Sequence, residues 1–517
     1  MGLNSSSFLL GVDIGTSSTK TCLFTDEGRL IASETQEYPI NYPKPAWAEE
    51  NPDDWLNATI KGIKVVIKSS KINSSDIIGI SISGLTPNCV PIDANASPIR
   101  PALIWIDRRS EAECNWIRKE IGIDKCINIC GNQIDPYFGG PKFLWFRKNE
   151  PKLFKKTKKI LLGSNYVVYN FTDKKAVTDH SVAGLCAPCY DYNKKQWSEE
   201  ICEAMQIPIE LLPELHYSHE IIGEINSAAA KKTGLKKGTP IVTGGGDFAC
   251  STLGAAVIDE GEACAMYGTA GNILIPLKSP KYDIRLLNTS HVVKGKYLTL
   301  GSIFAGGILE WFRNMLGDIE QLRAKKKGLS VYQILDEQAS KLPVGSNGLI
   351  LLPYFMGERT PIWDVYARGV YMGITPYHTK AHLYRAILEG TGYALNHIIE
   401  IAVSQGISIR EIIAVNGGAK SQLWRQIVSD IMGIPQIYIS KAGGAPLGDA
   451  ILAGIGCGVF QDVRVVKKWI FKGERTEPIS KNHEIYKKYY KLFQKIYDSL
   501  KNSFLDLFKI IKNNSRN

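Results

Sequence analysis

Two carboxylates stand where an apolar run gives way to a glycine-rich turn. Asp13 lies in the run Leu9 to Ile14, directly before Gly15-Thr-Ser-Ser18. Asp247 follows Gly244-Gly-Gly246 at the end of a short strand-like run, and open α/β sheets bind ligands at such strand ends. A carboxylate in this position can act as a general base or as a ligand of Mg²⁺. The alternative for both residues is a turn carboxylate that accepts local backbone N–H groups.

The turn after Asp13 has a counterpart far downstream. The segment Tyr267-Gly-Thr-Ala-Gly-Asn272 also places glycine and a hydroxyl residue between two strand-like runs. Glycine lets a backbone approach a ligand closely, and successive N–H groups with Thr or Ser hydroxyls form a nest for phosphate oxygens. Two such hairpins predict two related halves that hold one polyphosphate. The predicted phosphate contacts are Gly15, Thr16, Ser17, Ser18, Gly268, Thr269 and Lys20, whose alternative is a solvated surface lysine.

The length of the chain predicts more than one domain. A chain of 517 residues is too long for a single hydrophobic core. We place an N-terminal domain at 1–245, a C-terminal domain at 246–480 and a helical extension at 481–517. Because no low-complexity linker separates them, we expect a hinge between the two large domains.

The composition indicates an ordinary globular protein that binds small molecules. The net charge of +11 comes largely from scattered lysines, such as those at 155–159 and 325–327, without interleaved aromatics or a nucleic-acid motif. We therefore expect no nucleic-acid partner. No apolar run approaches the roughly 18 residues of a membrane span, so we expect no membrane contact. Eleven cysteines, mostly in apolar stretches, and the lack of a leader pattern predict a cytoplasmic protein.

Hydrophobic patterning predicts the elements that position these residues. A helix is expected from about Pro52, with Asn51 as its cap. Ile77 to Ser83 is typical of a strand buried on both faces, and Pro101 to Ile106 is predicted as another strand. Later elements are predicted as strands over 239–243, 263–276, 297–300 and 412–415, and as helices after 305–307, over about 379–405, from about 446 and over about 482–512.

The best-known nucleotide motifs are missing. Asn416-Gly-Gly-Ala-Lys-Ser421 is not a Walker A motif, because its Lys follows Ala and no Gly stands at position 413. No dinucleotide fingerprint follows a predicted strand either. If the chain binds a nucleotide, the two hairpin turns must hold its phosphates.

The chain resembles the FGGY carbohydrate kinases, which share the sugar kinase–Hsp70–actin fold, over nearly its whole length. The most specific segment is Gly357 to Ile374, followed by Arg385 to Gly390, and it is similar to the xylulokinase branch in particular. Ala46 to Trp55 and Pro101 to Arg109 also resemble family segments. The resemblance implies an α/β fold with two actin-like, ribonuclease H-like ATPase domains and a cleft between them.

The resemblance implies roles for individual residues. Asp247 matches the catalytic base of the family, with ATP as phosphate donor and Mg²⁺ as its metal, for which Asp13 and Asp247 are the candidate ligands. Tyr137 matches a tyrosine that glycerol kinases place against their substrate, and its alternative is a packed loop aromatic. The positions that match the adenosine site of the family are Gly306, Gly307, Gly417, Gly418 and Ser421.

One segment departs from the family pattern. After the strand that ends at Ser83, xylulokinases carry Gln-Met-His-Gly and glycerol kinases carry Gln-Arg-Glu, whereas this chain has Leu85-Thr-Pro-Asn88. Unmatched buried polar groups determine discrimination between acceptors, so glycerol is not the expected substrate. The candidate sugar contacts are Thr86, Pro87, Asn88, Trp105, Asp107, Tyr137, Asp247 and Phe248, which stands where glycerol kinases place a Gln.

The predicted function is therefore transfer of the ATP γ-phosphate to a hydroxyl of a ketose or polyol that is similar to xylulose. Ribulose, L-xylulose, a hexulose and a tetritol stay open as acceptors, and a homodimer stays open as the assembly. A different class, a nucleotide-gated binding protein without kinase activity, also fits the paired turns.

Overall fold

The first half of the molecule is built on a six-stranded mixed sheet. The structure is a computed structural model that describes residues 7–440, 443–470 and 473–514. The sheet has the order β5-β6-β4-β1-β2-β3, in which β1 is antiparallel to β2 and parallel to β4. Its strands are β1 (Phe8–Ile14), β2 (Ser18–Thr25), β3 (Leu30–Glu37), β4 (Ile77–Gly84), β5 (Ile221–Glu224) and β6 (Pro240–Val242).

The second half is built on a seven-stranded sheet with the same internal order. Its sequence of strands is β9-β10-β8-β7-β11-β12-β13, and again a hairpin, β7 and β8, pairs in parallel with a later strand, β11. This repetition is the one predicted from the two glycine turns. The strands are β7 (Glu262–Tyr267), β8 (Ala270–Leu277), β9 (Leu287–Ser290), β10 (Tyr297–Phe304), β11 (Glu411–Val415), β12 (Gln436–Tyr438) and β13 (Arg475–Thr476).

Helices cover the two sheets and begin largely where the sequence predicts. The first helix starts at Pro52, and the Asn51 side chain accepts a hydrogen bond from the Asp53 N–H (3.2 Å), which caps the helix. The principal helices are α1 (Pro52–Ser70), α2 (Gly139–Asn149), α3 (Asp247–Gly254), α4 (Gly306–Leu316), α5 (Val331–Ala339), α6 (Lys380–Ser404), α7 (Gln422–Met432), α8 (Gly444–Gly456) and α9 (Ser480–Asn514).

One predicted strand is wrong over most of its length. Within Pro101 to Ile106 only Ala102–Leu103 is a strand, because the Asp107 N–H donates to the Ile104 carbonyl (3.0 Å) and closes a turn. The other short strands are Glu49–Glu50, Val90–Ile92, Lys159–Leu161, Val177–Asp179, Tyr190–Asp191, Gln196–Trp197, Glu214–His216, Ile350–Leu352 and Val370–Met372. The shorter helices include Glu111–Trp116, Ile123–Cys130, Pro151–Phe154, Asn165–Phe171, His180–Ala183, Glu199–Ala204, Ser227–Thr233, Asp318–Lys327 and Val466–Trp469.

The two halves meet where helix α8 packs against β1, β4 and α3. The contact is close because it uses glycine: a Cβ on Gly11 would lie 1.9 Å from the Pro446 carbonyl oxygen. Asp449 on α8 is fully buried and accepts hydrogen bonds from the hydroxyls of Ser81 (2.8 Å) and Ser83 (2.6 Å) on β4. Burial raises the pKa of the Asp449 carboxyl well above its usual value. A C-terminal helix is thereby tied to the strand that lies beside β1.

The C-terminal helix α9 is amphipathic, as predicted, and lies on the second half of the molecule. Its Tyr486 and Phe493 are buried, and the Tyr486 hydroxyl donates to Glu389 on α6 (2.9 Å). The domain boundary between 245 and 246 stays a prediction, and residues 1–6 and 515–517 of the predicted divisions lie outside the described residues. Among the described residues, no helix is both long enough and apolar enough to cross a membrane.

Candidate active site

The first hairpin turn joins β1 to β2 and carries charged side chains. The Gly15 N–H donates to the Ser18 carbonyl (2.9 Å), and Asp13 lies opposite Lys20 in the antiparallel register. Burial raises the pKa of Asp13 to about 6, and the charge of Lys20 partly offsets this effect. The Asp13 Oδ1 atom is buried without a hydrogen-bond partner. A buried carboxylate oxygen that no donor satisfies fits a cation ligand.

Asp247 is the first residue of helix α3 and lies close to Asp13. Burial, together with the negative charge of Asp13, raises the pKa of Asp247 to about 8. The Phe248 N–H donates to Asp247 Oδ1 (2.7 Å). The glycine turn before it is fixed by the Gly246 N–H, which donates to the Ser181 hydroxyl (3.0 Å). The structure therefore brings together the two carboxylates that stand 234 positions apart in the sequence.

The second hairpin turn joins β7 to β8 and carries no charged side chain. Its carbonyls face the start of α4: the Gly306 N–H donates to the Gly268 oxygen and the Gly307 N–H to the Thr269 oxygen, both at 3.1 Å. A Cβ on Gly306 would lie 2.3 Å from the Gly268 oxygen. Only glycine allows this contact between the turn and the helix.

A cavity of about 1080 Å³ lies beside the second hairpin. Six of the residues that the sequence predicts for a nucleotide line it, namely Gly268, Thr269, Gly306, Gly417, Gly418 and Ser421. Gly307 is adjacent but packs under the Phe304 ring, which lies 2.2 Å from where its Cβ would be. The Ser421 hydroxyl accepts from the Trp424 N–H (3.0 Å) and caps helix α7.

One wall of this cavity is missing from the sequence prediction. Helix α5 lines it with Gln333, Asp336 and Glu337. Asp336 is held by the Tyr384 hydroxyl, which donates to it at 2.9 Å, and burial raises the pKa of its carboxyl. No glycine turn marks this helix, and its signal in the sequence is the capping box of Ser330 and Gln333, in which the Gln333 N–H donates to the Ser330 hydroxyl (3.2 Å).

Aromatic residues lie on the other side of Asp247. The Trp105 indole N–H donates to the Thr16 hydroxyl in the first turn (2.9 Å), and the Trp105 and Tyr137 rings meet edge to face at 6.3 Å. Burial raises the pKa of Tyr137 to about 12; the charge of Arg359 lowers it and that of Asp247 raises it. Tyr137 therefore lies near both charged groups. Arg359 belongs to the segment Gly357 to Ile374 that resembles the family, but no sequence pattern predicts its contact with Trp105 and Tyr137.

The segment after β4 lies at the same end of the sheet. The Leu85 N–H donates to the Ile14 carbonyl (2.8 Å), which sets the segment beside the first turn. Thr86 Oγ1 and Asn88 Oδ1 are buried without hydrogen-bond partners, whereas Asn88 Nδ2 donates to the Leu85 carbonyl (2.9 Å). Pro87 is buried, and Phe248 packs over Gly246.

Asp107 differs from the other candidate sugar contacts. It is fully buried and accepts hydrogen bonds from the Ala48 N–H (2.6 Å) and from Arg109, with which it forms an ion pair at 2.7 Å. Both carboxylate oxygens are thus engaged by protein groups. This geometry favours a structural role for Asp107 over a contact with substrate.

Two sheets of like strand order, each with a glycine turn in its central hairpin, give the molecule the actin-like ATPase fold. Family models for the N-terminal and C-terminal domains of the FGGY family of carbohydrate kinases match residues 8–254 and 263–457, respectively. The chain belongs to this family.

Individual relatives differ in the acceptors that their names record. The chain is 31% identical to the xylulose kinase of Bacillus subtilis over 96% of this chain and 97% of that protein. It is 32% identical to glycerol kinase 2 of Saccharolobus solfataricus, over 92% and 94% of the two chains. The crystal structure of gluconate kinase from Lactobacillus acidophilus has 26% identity and a TM-score of 0.90, covering 97% of this chain and 100% of that one.

The comparisons confirm the predicted family, the fold class and the reaction class. The chain is a carbohydrate kinase, a phosphotransferase with an alcohol group as acceptor. This membership is an argument against the binding protein without kinase activity. The particular acceptor and the roles of single residues stay predictions.

Proposed function

We propose that the protein transfers the γ-phosphate of ATP to a hydroxyl of a ketose or polyol similar to xylulose. The observation that carries the proposal is the position of Asp247, at the start of α3 and near both Asp13 and Tyr137. The names of several relatives, such as the xylulose kinase of Bacillus subtilis, support a ketose acceptor.

The donor occupies the space between the two turns. The turns Gly15 to Ser18 and Gly268 to Thr269 bind the phosphates through their hydroxyls and through the N–H groups that the turns leave free, and Lys20 adds a positive charge. The N–H groups of Gly15 and Gly268 close the turns themselves by donating to the carbonyls of Ser18 and Ala270. The adenosine lies in the cavity beside the second turn, against Gly306, Gly418 and Ser421. The size of the cavity supports this assignment, since small-molecule sites have volumes of roughly 300–1,000 Å³.

Asp247 serves as the general base. It accepts the proton of the acceptor hydroxyl while that oxygen attacks the γ-phosphorus; the new O–P bond forms, the bond to the bridging oxygen breaks and ADP leaves. A base with a pKa near the working pH balances proton affinity against ionisation, and burial brings the pKa of Asp247 to about 8. Asp13 keeps that pKa high through its negative charge.

The residues present fit a magnesium ion at this place. Mg²⁺ is usually bound by one or two carboxylates together with substrate phosphates, and Asp13 and Asp247 provide the carboxylates here. The unpartnered Oδ1 of Asp13 supports the fit. When bound, the ion supplies neutralisation of charge on the phosphate oxygens.

A coupled ATP-consumption screen over ketoses, polyols and aldonic acids tests the proposal. We expect at least one acceptor to accelerate ATP consumption in the wild type and not in Asp247→Asn. Asp498→Asn, which changes an exposed aspartate on helix α9, is the matched control and should behave as wild type. A wild-type protein that consumes ATP with no member of the panel would contradict the proposal.

A further inference from the structure

One cation beside the acceptor cleft lacks a charged partner. Arg359 forms no ion pair within the part of the chain that the structure describes. Its guanidinium carbon lies 4.4 Å from the centre of the Tyr137 ring and 5.2 Å from that of Trp105. Burial raises the pKa of the Tyr137 hydroxyl and the charge of Arg359 lowers it, so the two groups interact directly. A guanidinium carries five N–H donors, so one neutral hydroxyl leaves most of them available to a ligand.

The carboxyl next to Arg359 in the chain does not neutralise this charge. Burial raises the pKa of Glu358 to about 8, so its carboxyl is largely protonated at pH 7. The carboxyl oxygens of Glu358 accept hydrogen bonds from the backbone N–H groups of Arg359 (3.0 Å) and Phe304 (3.3 Å). The guanidinium therefore keeps a positive charge that no ion-paired carboxylate of the described residues neutralises.

The segment Leu85 to Asn88 offers little that could donate to a sugar oxygen. Leu85 and Pro87 have apolar side chains, and the amide nitrogen of Asn88 already donates to the Leu85 carbonyl. The side-chain groups without partners there are the Thr86 hydroxyl and the Asn88 carbonyl oxygen. A sugar bound by this segment could hydrogen-bond to the Thr86 hydroxyl and to the Asn88 carbonyl oxygen. Sugar oxygens that carry no proton would need hydrogen-bond donors from other parts of the protein.

We infer that Arg359 determines acceptor specificity by donating hydrogen bonds to an oxo oxygen of the acceptor, either a ketone carbonyl or a carboxylate. The inference rests on the proposed function. A guanidinium donates and cannot accept, so it suits an oxygen that carries lone pairs and no proton. A hydroxyl group at the same place also has a proton to donate, and Arg359 has no acceptor atom for it. Ketoses and aldonic acids are therefore better acceptors than alditols of the same carbon number.

The position of Arg359 also couples acceptor recognition to the joining of the two halves. Arg359 lies in the part matched by the C-terminal family model, whereas Trp105 and Tyr137 lie in the part matched by the N-terminal model. The three side chains come together only when the halves adopt the arrangement seen here. Binding of an oxo group by Arg359 stabilises that arrangement.

The test compares matched acceptor pairs: D-xylulose with D-arabinitol, D-ribulose with ribitol, and D-gluconate with D-glucitol. In Arg359→Met we expect kcat/KM for the oxo member to fall about 10–100-fold, the loss typical of a hydrogen bond from a charged donor. The alditol values and the KM for ATP should stay near wild type. Arg359→Lys should lie in between, because it keeps the charge without the planar fork.

Arg368→Met is the matched control. Arg368 follows in the same connection and its side chain donates to the backbone carbonyls of Val365 and Ala367, so this variant should retain the wild-type preference. An equal loss on both members of each pair, or no loss on either, would overturn the inference. Thermal unfolding of the wild type and of every variant checks for a loss of folding, which would appear as a lower unfolding midpoint.

Failure of the proposed function gives a different result. If the wild type phosphorylates neither member of any pair, the kinase assignment for these acceptors falls. Calorimetric titration of the same pairs into the wild type and Arg359→Met without ATP then tests Arg359 alone. A wild-type preference for the oxo member that disappears in Arg359→Met supports the inference, and equal affinities in the wild type contradict it.

Discussion

The two hairpin turns share a backbone design but differ in what they present to the cleft. The first carries Asp13 and Lys20 on facing strands and a Thr16 hydroxyl that accepts from Trp105. The second presents glycine and Thr269, and its carbonyls are fixed to the start of α4. The comparison indicates that one copy of the turn supplies charge near the reacting group, while the other supplies a rigid backbone surface beside the nucleotide cavity.

Among changes to the two turns, the largest effect should come from removing the charge of the first turn. Asp13→Asn keeps the size of the side chain but loses the carboxylate whose Oδ1 has no partner. We expect kcat/KM to fall about 10–100-fold, as for other groups that hold a metal, with a higher magnesium concentration needed for half-maximal rate. Thr269→Ala in the second turn should cost much less. Equal losses in the two variants would remove the distinction between the turns.

A smaller effect should follow from disturbing the rigid backbone of the second turn. Gly306→Ala places a Cβ 2.3 Å from the Gly268 oxygen, whereas a Cβ at Gly417 would meet nothing within 4 Å. We expect Gly306→Ala to destabilise the protein by about 1–3 kcal/mol and to raise the KM for ATP more than that for the acceptor. Gly417→Ala should leave the unfolding midpoint unchanged. Thermal unfolding and steady-state kinetics check both, and a stable Gly306→Ala would show that the turn yields.

The smallest effect concerns the buried carboxyl behind the second turn. Glu358 accepts from the N–H of Phe304, which pairs with Ala270 on β8. Burial raises its pKa from 4.5 to about 8, so the folded protein holds a proton that the unfolded chain releases over this window. Its contribution to stability is thus present below pH 4.5 and declines as the pH rises towards 8.

Glu358→Gln cannot ionise and should therefore flatten this decline. The unfolding midpoint of the variant, measured at pH 5 and pH 8, is expected to change less between the two pH values than that of the wild type. An identical pH dependence in both proteins would mean that Glu358 is ionised in the folded state. The result would also bear on Arg359, whose uncompensated charge depends on a protonated neighbour.

The backbone of the two hairpin turns could be predicted from the sequence better than the surroundings of the candidate acceptor residues could. The turns at Gly15 to Ser18 and at Gly268 and Thr269 are local patterns of glycine and hydroxyl residues between apolar runs, so the hairpins and the repeated sheet order followed from short segments. The closeness of Asp13 and Asp247 could be expected too, because Asp13 lies near the end of β1, Asp247 follows β6, and both strands run parallel to β4.

The rest of the site depends on contacts between distant segments. Asp107 stands beside Trp105 in the chain, yet the turn at Ile104 buries it against Arg109. Arg359 reaches Trp105 and Tyr137 from more than 200 positions away. No local sequence pattern predicts such contacts between distant segments. Asp449 is an acidic residue within the apolar helix α8, and such a residue indicates an unusual environment. Its partners Ser81 and Ser83 on β4 could not be predicted from the sequence.

In the proposed mechanism Asp247 accepts the proton of the acceptor hydroxyl while the two turns bind ATP. The most direct measurement follows γ-phosphate transfer in a single turnover for Asp247→Asn and, on the same preparation, the affinity for ATP without magnesium. We expect γ-phosphate transfer in Asp247→Asn to slow at least about 100-fold, because the general base is lost, and the affinity for ATP to stay close to that of the wild type. Transfer at the wild-type rate, or loss of ATP binding together with transfer, would contradict it.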